Sequence, residues 1–168
     1  MKSNLISFVL GVCVCVVGAF LFLTQGGMPV KTEGGPLHFE RYLSHLALAH
    51  AIGPDADKPS PIPADATNLV AGAHVYREQC AVCHGELGRP PSARAKGMFP
   101  RPPQLLPPKK GVTDDPVGET YWKVRYGIRL TGMPGYGASL SDAELWQVSL
   151  LLLHAAELPP AAQDALRR

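Results

Sequence analysis

Cys80-Ala81-Val82-Cys83-His84 spells C-x-x-C-H, and no other run constrains the fold of this chain as much. Two thiols on one helical turn can add across the two vinyl groups of a haem, and the adjacent imidazole is then held under the iron. A chain carrying this run is expected to complete its core with a covalent prosthetic group, which is a redox centre.

The same letters have other readings. A structural zinc site needs four ligands, usually from a second C-x-x-C or an H-x-H pair at short range. The only other cysteines, Cys13 and Cys15, lie in an apolar run. A redox dithiol wants its C-x-x-C at the start of a helix in a βαβ setting. Here the motif follows a helical stretch, and no strand pattern precedes it. Haem attachment is the reading that fits.

With 168 residues, a net charge of +2 and 46% apolar residues, the chain has room for one compact domain with appendages. One appendage is N-terminal. Leu5 to Leu23 is 19 residues without a charge, about 28 Å as a helix at ~1.5 Å per residue, close to the hydrocarbon thickness of a bilayer. Its exit, Thr24-Gln25-Gly26-Gly27-Met28, lacks the A-x-A-like site of a cleaved signal, so retention as an anchor is expected. Lys2 precedes the span and no charge follows it until Lys31. That bias puts residues 1–4 in the cytoplasm and the remainder across the membrane. Cys13 and Cys15 read as small apolar residues of the span, because Val12 stands where lipid modification of Cys13 would want a small residue.

Residues 24–63 read as a juxtamembrane helix and a proline-rich tether. In the helix, Leu37 to Ala51, the residues Leu43, Leu46, Ala47 and His50 share a face. His38, His45 and His50 lack carboxylate or cysteine company, so they read as solvated or interfacial side chains rather than metal ligands. Gly53 to Pro63 holds four prolines and is expected to be free of helix.

A globular domain is expected from Ala64 to Ala156, followed by a tail over 157–168. Thr67 to Gln79 is a helical pattern leading into the motif, with Leu69, Ala73 and Tyr76 on one face. Asp115 reads as a cap and Pro116 as the first helical residue of Pro116 to Tyr126. Ser141-Asp142-Ala143-Glu144 is a capping box opening a helix with Leu145, Trp146, Val148, Leu150 and Leu152, running to about Ala156 before Pro159 and Pro160. Strand signals are lacking, so the expected class is all-α around a flat cofactor.

A second iron ligand is needed, and Gly132-Met133-Pro134-Gly135 supplies a candidate. A methionine among glycine and proline cannot belong to a regular apolar face, whereas a thioether held there can approach the iron opposite His84. His/Met ligation favours the ferrous state and raises the reduction potential. Met98, His74 and His154 are competing ligands, although both histidines fall within expected helices.

Residues 64–156 resemble a class I monohaem cytochrome c. Gly72-x-x-x-Tyr76-x-x-x-Cys80 matches the first helix of that family, whose glycine permits close crossing by the last helix and whose aromatic packs beside the haem. Leu145, Val148 and Leu152 would form the opposing face. Pro103-Gln104-Leu105 resembles the family's P-x-L. This implies that the Pro103 carbonyl accepts the Nδ1 proton of His84, fixing the ring, and that Leu105 packs on the haem. Gly132-Met133-Pro134 matches the axial methionine loop. Tyr-x-x-x-Cys-Ala-Val-Cys-His-Gly followed by Phe99-Pro100-Arg101-Pro102-Pro103 resembles bacterial membrane-anchored or periplasmic carriers. The resemblance implies one haem c on Cys80 and Cys83, axial ligation by His84 and Met133, and one-electron transfer rather than enzyme catalysis. It also implies a single-pass inner-membrane protein with its haem domain in the periplasm, where bacteria attach haem covalently.

Arg89, Arg94, Lys96, Arg101, Lys109 and Lys110 are six basic residues between 89 and 110, with no acid among them. Near an exposed haem edge they would steer the domain to an acidic patch on a redox partner. The small net charge and the compartment argue against nucleic acid. Two further readings stand beside this one, the first on the same scaffold and the second of a different class. One is a cytochrome subunit of a larger respiratory dehydrogenase or oxidase complex. The other is a haem enzyme or gas sensor, which would need a labile sixth position.

Overall fold

The structure, a computed structural model, describes residues 2–108 and 114–167. Lys109 and Lys110 therefore lie outside the described residues. The chain divides into two units, residues 1–37 and 38–168.

In the first unit, helix α1 (Lys2–Thr24) contains the stretch Asn4–Thr24, with a mean hydropathy of 2.8. It is long and apolar enough to cross a membrane, a property that anchors and signal sequences share. Leu5, Phe8, Val14 and Phe20 are all exposed, so apolar residues ring the helix and it has no polar side to turn to water.

The second unit opens with α2 (Glu40–Ile52), three residues later than expected. Phe39 stands before it with a left-handed φ of 66° and no side-chain cap. The sequence predicts a helix-free tether over 53–63. Instead, Gly53–Asp57 winds a 3-10 helix with proline in its first turn, where the missing N–H costs nothing. Helix α6 (Val117–Tyr126) lies directly on this turn. A Cβ at Gly118 of α6 would strike the carbonyls of Asp55, Ala56 and Lys58, so only glycine allows the approach. Ile62 also packs against the core. The folded domain thus begins upstream of Ala64.

Helix α3 (Ala66–Val75) is capped by Asp65, whose carboxylate accepts the Asn68 N–H at 2.9 Å. The sequence predicts one helix to Gln79. The chain instead widens into a π-helical turn, Tyr76–Cys80, before the short α4 (Ala81–His84). Helix α5 (Ala93–Gly97), which the sequence pattern did not announce, is capped by Ser92. In α6 (Val117–Tyr126) Pro116 occupies the cap position itself, without a side-chain bond. Asp115 pairs instead with Lys123 at 2.6 Å. Helix α7 (Asp142–Leu153) opens on the expected capping box of Ser141 and Glu144 and ends before Ala156.

The expected tail is also helical: α8 (Pro160–Arg167) packs on α3 and buries Ala162, Ala165 and Leu166. Pro160 opens this helix, because a proline that stops one helix is equally suited to start the next. No strand occurs among the described residues, in keeping with an all-α domain.

The core forms where α7 meets α3 and α6. Leu145, Val148 and Leu151 are fully buried, each stabilising by about 1.5–3 kcal/mol relative to exposure. Trp146 stacks on Tyr121 with ring centroids 4.0 Å apart. At the α3/α7 crossing, a Cβ on Gly72 would strike the Gln147 carbonyl. The residues facing Gly72 most directly are therefore Gln147 and Leu151, while Leu145, Val148 and Leu152 are buried in the core beside the crossing.

Candidate functional site

The π-helical turn delivers the motif. One wide turn in a helix shifts everything beyond it by one residue relative to the face before it. Leu69, Ala73 and Tyr76 thus pack inward, while Cys80, Cys83 and His84 remain half-buried on the following turns. Both thiols are unpaired. Burial, and then the neighbouring Cys83, push the Cys80 thiol up to about 12. That shift runs opposite to the one an oxidoreductase dithiol uses, whose thiol pKa is lowered. Among the described residues no three His, Cys, Asp or Glu side chains converge as a metal cluster.

His84 is held at its ring and at its backbone. Its Nδ1 lies 2.9 Å from the Pro103 carbonyl. With that nitrogen donating its proton, Nε2 carries the lone pair. Burial pulls the imidazole below its ordinary pKa, against the smaller opposing effect of the Pro103 bond, so the ring favours the neutral form that binds metals. Leu105 N–H donates to the His84 carbonyl at 3.0 Å, and the Gln104 amide donates to the Cys83 carbonyl at 3.2 Å. The 103–105 segment is therefore strapped along the attachment turn, and Leu105 packs half-buried against the core. The Tyr76 hydroxyl reaches the carbonyls of Gly85 at 2.8 Å and His84 at 3.1 Å.

Met133 packs half-buried against the core in a loop closed on itself. Its N–H donates to Thr131 Oγ1 at 3.1 Å, and its carbonyl accepts the Ile128 N–H at 3.2 Å. Tyr136 joins the loop to the attachment turn, donating its hydroxyl to the Gln79 carbonyl at 2.9 Å. The Met98 methyl lies against Gly132, so both candidate thioethers border one region. His74 is exposed on α3, and His154 is the C-cap residue of α7.

Cys80, Cys83, His84, Pro103 and Leu105 are thus brought together, with the Met133 loop tied to the residue preceding Cys80. These residues fit a covalently attached haem. Two thiols three residues apart are unbonded, one imidazole has a nitrogen to offer, and Leu105 and Met133 are apolar and half-buried. Sequence reasoning missed Gln104, the Tyr76 hydroxyl and Tyr136. A tyrosine three residues after the methionine was the one available signal for the last. In the basic segment Arg94, Lys96 and Arg101 are exposed, whereas Arg89 pairs with Glu86 at 2.6 Å.

The family model for cytochrome c oxidase, cbb3-type, subunit III matches residues 67–150. That range runs from the start of α3 through the attachment turn and the Met133 loop into α7. The chain is 33% identical over 141 residues to a thiosulfate dehydrogenase of Stutzerimonas stutzeri (strain A1501), covering 80% of this chain and 44% of the relative. It therefore spans less than half the length of the curated relative it matches. No solved structure matches the chain. With the attachment motif, its strap and the methionine loop all inside the matched range, this chain belongs to the cytochrome c oxidase, cbb3-type, subunit III family, as a c-type cytochrome domain.

Proposed function

We propose that the chain is a membrane-anchored electron carrier with one haem c, working on the periplasmic side of a bacterial inner membrane. The family implies electron transfer and a covalent haem. The observation that carries the finer reading is the hold on His84, with Nδ1 committed to Pro103 and Nε2 left for a metal. Bound at this site, haem c supplies a one-electron ferric/ferrous couple.

The chain's own residues do the rest. Cys80 and Cys83 anchor the group through their sulfurs. His84 and Met133 would hold its iron, and Leu105 would cover an edge with apolar surface. Helix α1 tethers the domain, which keeps it near partners in the same membrane.

A second reading is a cytochrome subunit of a larger dehydrogenase or oxidase complex. It is favoured by the family's description and by a relative named for thiosulfate oxidation. Gentle solubilisation separates the two readings. A complex co-purifies with catalytic subunits and reduces its haem on addition of the dehydrogenase substrate, whereas a carrier elutes alone.

The ligation is tested on the purified full chain. After acid–acetone extraction the haem stays with the protein, and the pyridine haemochrome spectrum shows one haem per chain. The ferric protein shows the near-infrared sulfur-to-iron band at neutral pH. Met133→Ala abolishes that band and opens the iron to carbon monoxide, and Met98→Ala keeps it. Release of haem into the organic phase, or loss of the band in Met98→Ala alone, overturns the reading. Intact mass of the membrane fraction checks the anchor, with an N-terminus upstream of Leu5 expected.

A further inference from the structure

We propose that Tyr136 is a positioning residue for the sixth ligand, latching the Met133 loop to the haem-attachment turn independently of any bond from sulfur to iron. The inference rests on His84/Met133 ligation and extends it to what keeps the thioether in place.

Two sets of contacts act on this loop. The first fixes its shape. Tyr136 N–H donates to Val124 O and Gly137 N–H to Arg125 O, each at 2.9 Å, which fastens the far end of the loop to the last turn of α6. The Ile128 N–H to Met133 carbonyl bond and the two bonds of the Thr131 hydroxyl, to Ile128 O at 2.7 Å and from Met133 N at 3.1 Å, close the near end. All of these partners fall within residues 124–137. They make the loop a preformed unit fastened to α6, and none of them reaches the attachment turn that carries Cys80 and His84.

The second set is a single bond. Among the described residues, the hydrogen bond that crosses from this loop to the attachment turn is Tyr136 Oη to Gln79 O, 2.9 Å long between residues 57 apart in sequence. Gln79 lies inside the π-helical turn and immediately precedes Cys80. The latch therefore grips the backbone that carries the first thiol, and the methionine three residues from Tyr136 is registered against that same backbone. Met133 and Tyr136 also pack half-buried against the core, a non-directional contact, and Met98 meets Gly132 chiefly with its terminal methyl, a flexible end that can yield. The crossing bond is thus the directional contact that resists the loop swinging away.

A neutral hydrogen bond of this kind shifts an open/closed ratio by about ten-fold. A site whose supporting contacts are removed loosens before the fold is lost.

The test uses the full-length, haem-loaded protein carrying Tyr136→Phe, which keeps the ring and removes only the hydroxyl. Carbon monoxide can take the sixth position of the ferrous protein only when the methionine has left it, so its association rate reads the open fraction. That rate is expected to rise by about ten-fold. In the ferric protein the sulfur-to-iron band should be lost at a lower temperature than in wild type, while the far-UV helical signal holds. Met133→Ala is the reference, with no band and unrestricted carbon monoxide binding. If Tyr136→Phe matches wild type in both measurements while Met133→Ala opens the site, the latch is overturned and the ligation stands. If Met133→Ala keeps the band, the ligation itself is wrong and the latch falls with it.

Discussion

Tyr76 shows at the level of one residue how this site is built. Its ring lies 1% exposed in the core, and burial pushes its phenol well above the ordinary tyrosine range. The hydroxyl therefore stays a donor, and it is shared between two consecutive carbonyls, those of His84 and Gly85. A glycine-x-x-x-tyrosine pattern announces an inward aromatic but gives no hint of where a phenol so placed sends its proton. Tyr76→Phe removes the hydroxyl donor from the buried Gly85 carbonyl, while the His84 carbonyl keeps the Leu105 N–H. It should destabilise the haem-loaded protein by about 1–3 kcal/mol, measured as a fall in the urea midpoint with an unchanged slope. Equal midpoints would mean that the hydroxyl only fills space. Gln104 makes the same point from the strap. Proline and leucine were legible around it as a P-x-L, while its amide found the Cys83 carbonyl only because the segment folds back along the turn.

Helices meet here through small residues and through caps, and the two differ in legibility. The capping box at Ser141 is local: hydroxyl, carboxylate and the two N–H groups they bond all fall within four residues, so the sequence announced it. Gly72 was legible as a crossing point, but the atoms it faces were not, because they depend on how α7 is rotated. An added Cβ there meets the Gln147 carbonyl carbon at 2.7 Å and Leu151 Cβ at 3.2 Å. These belong to backbone and to the root of a side chain, neither of which can swing aside. Gly72→Ala should therefore force α3 from α7 and cost about 1–3 kcal/mol, even though alanine is the better helix former. Thermal unfolding of the holo protein checks the sign, and a raised midpoint would show that the helices separate freely. The 3-10 helix at Gly53–Asp57 and α8 escaped the sequence reading for a shared reason. Proline marks both the end and the beginning of helices, and only packing on α6 and α3 respectively decides which applies.

For the domain as a whole, charge bears on partners. Arg94, Lys96 and Arg101 are exposed on the segment that borders the attachment turn, with Ser92 donating to the Val82 carbonyl at 2.6 Å and Pro103 bonded to His84. Arg89, neutralised by Glu86, adds little to that rim. If the rim steers an acidic partner, the bimolecular reduction rate should fall steeply with salt, since screening shortens to ~8 Å at physiological ionic strength and ~3 Å at 1 M. Replacing Arg94, Lys96 and Arg101 with glutamine should slow association by about ten-fold at low salt and leave the haem spectrum unchanged. Stopped-flow reduction across a salt series measures both effects, and a flat profile would show that the rim plays no part in encounter.

What the sequence determined by itself is what lies within a few residues along the chain: the attachment motif, the uncharged run of α1, the capping box and the all-helical class. Each is set by spacing, by period or by a side chain that bonds its own neighbourhood. What only the tertiary structure decided are the contacts between segments far apart in sequence. These are the Pro103 carbonyl against His84, the Tyr136 hydroxyl on Gln79, the burial of α8, and the packing of α6 on the turn at Gly53. A hydrogen bond between residues 57 apart depends on the direction in which several intervening elements leave one another, and that is fixed by the packing of α6 and α7 rather than by either partner's own sequence.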